Sequence, residues 1–192
     1  MGFLASYIAL WVAVLFLFFV AIGLLREVTQ LRRSQRAATN LEQLRIGHTA
    51  PTFSLQEVYS GETLSSKIFF GRPTSFLFLS PGCSICRSIA AEAPALAREL
   101  EATTTIAVIC LAEEEGWRNL LPPLRGMTVL LDADAEVSVH YGISRYPTVV
   151  VLDEAFKVLR YGYPRSIRQL AESISLGSSS SEAGSSREVL RA

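Results

Sequence analysis

The stretch Phe76-Leu77-Phe78-Leu79-Ser80-Pro81-Gly82-Cys83-Ser84-Ile85-Cys86-Arg87 sets two cysteines, two residues apart, between an apolar run and a segment of helical periodicity. Phe76 to Leu79 has the length and composition of a buried strand. Beyond the cysteines, Ile89, Ala93, Leu96 and Leu100 recur at spacings of three and four, with Arg87, Arg98, Glu99 and Glu101 between them. That pattern predicts an amphipathic helix. Cys83 then stands at or beside the helix N-terminus, where unpaired N–H groups and the positive end of the helix dipole stabilise a thiolate. Cys83 is the expected attacking sulfur. Cys86, one turn further in, is near enough to resolve a mixed disulfide. The same pair could be half of a structural zinc site, but such a site needs four ligands, usually a second CxxC or a His pair. Cys110, His48 and His140 stand far apart in the chain with no motif spacing between them. The pair is therefore read as a dithiol/disulfide redox site, with no metal assigned.

Composition bounds the remainder. The 192 residues carry 18 Lys and Arg against 18 Asp and Glu, and 49% are hydrophobic. Balanced charge gives no sign of a nucleic-acid partner. The apolar excess is concentrated at one end: from Phe3 to Leu25 no residue is charged. As a helix rising about 1.5 Å per residue, that run spans roughly 35 Å, enough to cross a bilayer with some tilt. It has no basic start, as a cleaved signal peptide would, and Arg26 ends it abruptly, so an uncleaved anchor over residues 1–25 is expected. A buried core helix is a poor alternative, since the run is apolar on every side and includes Trp11. Arg26, Arg32, Arg33 and Arg36 follow the span, and by the positive-inside rule they place the C-terminal part in the cytoplasm. Residues 26–45 read as a polar juxtamembrane stalk, whose arginines are most simply a solvated face near lipid phosphates.

The folded domain is expected to begin near Ile46 and to run to about Leu176. Phe53-Ser54-Leu55 reads as a short strand, Ser60-Gly61-Glu62 as a turn and Gly71-Arg72-Pro73 as a break ahead of the central strand. Thr105-Ile106-Ala107-Val108-Ile109-Cys110-Leu111 is an almost continuous β-branched run, as in a strand buried on both faces of a mostly parallel sheet. Cys110 belongs to that run and reads as a small core hydrophobe rather than a third redox partner. Glu113-Glu114-Glu115 reads as a solvated helix start. Val129-Leu130-Leu131 is a further strand, and Ala133 to Tyr141 a short helix closed by Gly142. His140 on that helix, and His48 at the domain entry, read as packed or surface histidines. Tyr146-Pro147-Thr148 leads into the strand Val149-Val150-Val151-Leu152. Pro147 at a strand entry is compatible with either a cis or a trans bond. If cis, the backbone at Tyr146 can face a thiol pair and dock an extended partner by main-chain hydrogen bonds. Lys157 to Tyr161 forms the next strand and Arg165 to Leu176 a closing helix. Residues 177–192, rich in Ser and Gly, lack the apolar surface to offset ordering entropy and are expected to be disordered.

This succession of strands and helices resembles the thioredoxin fold, an α/β fold with a central mixed sheet flanked by helices. The uncleaved anchor, the entry Gly47-His48-Thr49-Ala50-Pro51-Thr52-Phe53-Ser54-Leu55, the site from Leu79 to Cys86 and the element from Tyr141 to Thr148 narrow the likeness. They resemble the membrane-anchored redoxin family, in particular the branch that matures methylamine dehydrogenase, with the thiol reductases of cytochrome c maturation as wider relatives. The resemblance implies a cis Pro147 opposite Cys83 and Cys86. It also implies an exported domain, single-pass at the cell membrane, against the arginine count. The activity it implies is thiol-disulfide exchange: Cys83 attacks a client disulfide, Cys86 resolves, and Tyr146 and Pro147 dock the client backbone. The partners implied are client protein disulfides, a redox partner that resets the pair, and the membrane through residues 3–25. No cofactor is implied beyond the redox-active disulfide Cys83-Cys86.

The chain departs from thioredoxin itself in several places. Leu77 stands where thioredoxin has a buried acid, Gly82 replaces a tryptophan, and Ala91 replaces the helix proline, although Pro94 follows slightly later. Proton transfer at Cys86 must then use another group or water. Since Ser84-Ile85 replaces Gly-Pro between the cysteines, the direction of electron flow stays open. Two further activities of the same fold are alternatives. A thiol peroxidase requires Pro-x-x-x-Thr/Ser-x-x-Cys, and counting back from Cys83 gives Ser80 but Phe76 in place of proline. From Cys86 the same count meets Cys83 and Leu79. A copper-delivery module of related anchored redoxins uses CxxxC and a distant histidine, for which His140 is the only sensible counterpart here.

Overall fold

The computed structural model describes residues 45–111, 116 and 120–177, together with Tyr7, Trp11, Val14 and Leu15. The chain divides into two units, Met1–Arg36 and Ala37–Ala192, and the architecture below belongs to the second. The expected anchor, stalk, acidic helix start and serine-rich tail lie outside the described residues, apart from those few N-terminal positions, Arg45 and Gly177. Among the described residues no helix is long and apolar enough to cross a membrane.

Seven strands form one sheet: β1 (Ser54–Glu57), β2 (Thr63–Ser65), β3 (Thr74–Leu79), β4 (Thr105–Leu111), β5 (Thr128–Asp132), β6 (Thr148–Leu152) and β7 (Val158–Gly162), in the order β2-β1-β5-β4-β3-β6-β7. β4 lies between β3 and β5 and is parallel to both. β6 runs antiparallel to β3 and β7 antiparallel to β6, while β1 runs antiparallel to β5 and β2. The continuous apolar runs of β3 and β4 are therefore the centre of the sheet. All six residues of β3 are buried, as its composition requires of a strand covered on both faces.

Alternation along β3 sorts two cores. Leu77 and Leu79 join Cys86, Ile89, Ala90, Val108, Cys110, Leu170 and Ile174 on one face. Phe76 and Phe78 join Ala107, Ile109, Tyr141, Val150 and Phe156 on the other. On the second face Phe76 meets Phe53 and Phe69 edge-on, with centroids 5.4 and 5.2 Å apart, a geometry that aromatic quadrupoles favour. The first face is covered by α1 (Ser84–Glu99) and by α3, helical residues 167–177. In α1, Cys86, Ile89, Ala90, Ala93 and Leu96 are buried, so the predicted stripe is the one that packs. Pro94 lies inside this helix and removes a single backbone donor.

Of the boundaries that differ from expectation, two have a physical cause in the side chains around them. α2 is only Glu136–His140, not Ala133 to Tyr141, because the Asp132 carboxylate accepts the Val137 and Ser138 N–H groups at 3.2 and 2.8 Å. That side-chain cap starts the helix late, and Ala135 just before it is left-handed at φ 55°. Gly142 at φ 64° closes the helix as expected. The closing helix includes Gly177, where a Cβ would lie 2.6 Å from Val151 Cγ1. Only a glycine allows α3 to approach β6 that closely.

Candidate active site

β3 ends at Leu79 and delivers the loop Ser80-Pro81-Gly82 to the start of α1. Cys83 is the N-cap residue of that helix, in extended conformation (φ −93°, ψ 117°). Its backbone N–H is held by the Ser80 carbonyl at 3.2 Å. Its Sγ accepts the Cys86 N–H at 3.2 Å and lies 3.5 Å from the Tyr146 carbonyl oxygen, to which the thiol donates. The sulfur thus occupies the place of a capping oxygen, at the positive end of a 16-residue helix. When Cys83 is ionised, the Cys86 N–H remains as its donor.

The two thiols live in unlike environments. Cys83 is partly exposed and Cys86 fully buried; both are free, as is Cys110. Burial pushes the Cys86 thiol up to about 12, reinforced by its hydrogen-bonding interaction with Cys83. One sulfur is open to attack from solvent and the other is held protonated in an apolar core. A Cβ at Gly82 would meet nothing within 4 Å, so the approach beside Cys83 is unobstructed at that residue. Gly116 comes close on another side: a Cβ there would stand 2.9 Å from Pro81 Cβ.

The second half of the site comes from the loop before β6. The Tyr146-Pro147 peptide bond is cis, and the Tyr146 carbonyl points at Cys83. Thr148 Oγ1 donates to the Arg145 carbonyl at 2.6 Å and ties this loop to the strand behind it. Cys83, Cys86, Tyr146 and Pro147, far apart in sequence, are thus brought together because β3 and β6 are hydrogen-bonded neighbours, with Phe78 opposite Thr148.

The remaining candidates lie elsewhere. Cys110 sits opposite Leu79 in β4, fully buried, and burial pushes its thiol up to about 12. It is a core residue. His48 is exposed, and its carbonyl accepts the Val158 N–H at 2.9 Å. His140 is exposed and lines a depression beside β1 and α2 with Asp134 and Glu136. Among the described residues no three His, Cys, Asp or Glu side chains converge as a ligand set, so His140 is not gathered with the cysteine pair. Leu77 is fully buried, and no carboxylate replaces it on β3. A cleft of about 750 Å³, lined by Arg72, Pro94, Arg98, Pro122, Arg125 and Met127, opens at the other end of the parallel strands, past the C-terminal half of α1.

Three residues grouped near the Tyr146-Pro147 loop were not singled out by sequence. Arg145 precedes Tyr146, and Tyr161 and Tyr163 stand at the end of β7. Their hydroxyls are 2.7 Å apart, and the Arg145 guanidinium lies 5.7 Å from the Tyr163 ring centroid. Only the position of Arg145, next to Tyr146-Pro147, could have drawn notice.

No family model matches the chain. Among solved structures, MTB DsbF in its mixed oxidised and reduced forms aligns with a TM-score of 0.59 at 20% identity, over 67% of this chain and 99% of that one. The fold is thioredoxin-like. A secreted Mycobacterium tuberculosis disulfide oxidoreductase shares the thioredoxin-like fold, with a TM-score of 0.53, 21% identity, and coverage of 65% and 95% of the two chains. In sequence, the chain is 28% identical to the methylamine utilization protein MauD of Methylophilus methylotrophus over 166 residues, covering 83% of this chain and 76% of that protein. The likeness to MauD thus extends well beyond the thiol motif of the thioredoxin-like domain.

Proposed function

We propose that the chain is a thiol-disulfide oxidoreductase acting through Cys83 and Cys86. The observation that carries this is the asymmetric pair: a partly exposed Cys83 sulfur capping α1, 3.2 Å from the Cys86 N–H and 3.5 Å from the Tyr146 carbonyl, with Cys86 buried behind it. In the reducing direction the Cys83 thiolate attacks one sulfur of a client disulfide. The client's other sulfur leaves as a thiolate and takes a proton from solvent. Cys86 gives up its proton and attacks Cys83 Sγ, closing the Cys83-Cys86 disulfide and releasing the second client thiol, so that two electrons have passed to the client. The oxidising direction is the reverse, and a redox partner resets the pair. The Tyr146 backbone beside cis-Pro147 offers main-chain hydrogen bonds to an extended client segment.

The finer reading follows from the MauD likeness and from the uncharged run Phe3 to Leu25. The chain would be a single-pass membrane protein whose domain lies outside the cytoplasm and matures an exported, disulfide-bearing enzyme. The apolar length supports a membrane span; the arginines after it oppose this sidedness, and the MauD likeness alone supports it.

Trapping tests the mechanism. Cys86→Ser in the full-length chain is expected to accumulate a mixed disulfide with a disulfide-bonded peptide, releasable by dithiothreitol, while Cys83→Ser captures none. Equal capture by both variants, or by neither, would overturn the assignment of roles.

A further inference from the structure

Arg145, Tyr161 and Tyr163 form a small assembled group at the edge of the proposed site. Tyr161 lies opposite Val150 in the β6–β7 pairing, half-buried against the aromatic core. Its hydroxyl bonds that of Tyr163 at 2.7 Å, and the two rings meet edge to face with centroids 5.1 Å apart. Tyr163, 44% exposed, in turn supports the Arg145 guanidinium at 5.7 Å. The cation is thereby positioned through two tyrosines anchored on the sheet. Gly162 pairs with Val149, which places this end of β7 level with the start of β6, at the thiol end of the sheet. Arg145 adjoins Tyr146, whose carbonyl is 3.5 Å from Cys83 Sγ. Arg145 is exposed, and among the described residues no carboxylate lies within ion-pair distance of it. A positioned guanidinium next to a docking backbone, with no carboxylate partner among the described residues, matches a carboxylate, which its planar fork can take with two hydrogen bonds.

We infer that Arg145, held by Tyr161 and Tyr163, is a specificity determinant that selects client disulfides flanked by an acidic residue. The inference rests on the thiol-disulfide reading above and names its substrate class. Arg145 directly precedes Tyr146, whose carbonyl meets Cys83 Sγ, so the selected Asp or Glu is a near neighbour of the attacked cysteine in the extended client segment. An exposed ion pair of this kind changes association by a factor of a few and is screened by salt.

The test uses the full-length chain and three peptides, each with one disulfide, in which the residue next to the attacked cysteine is Asp, Gln or Lys. Exchange rates with Asp and Lys are each divided by the rate with Gln. The wild type is expected to favour Asp over Lys about fivefold at low ionic strength, with the preference fading in about 1 M salt. Arg145→Lys should keep most of it, Arg145→Ala should lose it and Arg145→Glu should reverse it. A wild-type ratio near one, or the same ratio in Arg145→Glu, would overturn the inference. The underlying reading is checked separately with uncharged bis(2-hydroxyethyl) disulfide. If wild type and Cys83→Ser exchange it equally slowly, the thiol-disulfide reading fails, and the specificity inference with it.

Discussion

Cys83 and Cys86 lie one helical turn apart, yet the first is partly exposed and the second fully buried. Burial holds the Cys86 thiol near 12, so at neutral pH it is a protonated reserve that reacts only with a sulfur brought to it. Labelling of the reduced chain with iodoacetamide at about pH 8 should therefore modify Cys83 first, and Cys86 and Cys110 only after denaturation, as read by peptide mass spectrometry. Equal labelling of Cys86 would contradict the burial argument. Since the resolving step needs Cys86 to lose its proton, release of a trapped client should accelerate as pH rises from 7 toward 10, checked by quenched-flow thiol trapping. Cys110, packed in the same core as Cys86 with its thiol equally raised, calls for the opposite expectation. Cys110→Ala removes only one buried sulfur and should cost no more than about 3 kcal/mol in denaturant unfolding while disulfide exchange persists. The unlike placements of Cys83 and Cys86 could be read from the motif because helix position and spacing alone order them. The pairing of Arg145 with Tyr163 could not, because only the β6–β7 pairing brings those residues together.

At the scale of elements, side chains and close approaches decide what periodicity leaves open. The β3 and β4 runs were legible because a strand buried on both faces has no room for polar alternation. The late start of α2 was not, since it depends on the Asp132 carboxylate competing for N–H groups that a longer helix would have used. Gly177 read as the start of a flexible tail because its lack of a side chain looks the same whether it serves freedom or contact. Gly177→Val should clash with Val151 and cost about 1–3 kcal/mol of stability, measurable by thermal or denaturant unfolding. Glu57 gives a second test. Burial by itself would raise its carboxyl, but the hydrogen bonds from Ser60 and Tyr59, at 2.6 and 2.8 Å to Oε2, outweigh this and hold it below the ordinary 4.5. Its folded-state value is thus depressed, so its contribution is complete above about pH 4.5 and is lost as pH falls through the folded value. Glu57→Gln should flatten the pH dependence of stability in that acid window.

For the molecule as a whole, the sheet order places the thiol loop after β3 beside the Tyr146-Pro147 loop before β6, and every role proposed depends on that adjacency. The mixed sheet and its flanking helices follow from apolar runs, glycine breaks and one amphipathic stripe, which is why the thioredoxin-like fold could be anticipated. The potential of the pair could not, because it reflects the balance of the Cys86 N–H, burial and the Ser84-Ile85 turn rather than any single residue. The central claim is that Cys83 and Cys86 form a reversible dithiol/disulfide couple, and equilibration of the full-length chain in glutathione or dithiothreitol buffers, followed by thiol trapping, tests it most directly. The account predicts one two-electron transition, changing tenfold per about 30 mV, with a midpoint between about −120 and −270 mV, and its abolition in Cys83→Ser. A chain whose Cys83 and Cys86 show no such transition, or one that survives in Cys83→Ser, would contradict the account.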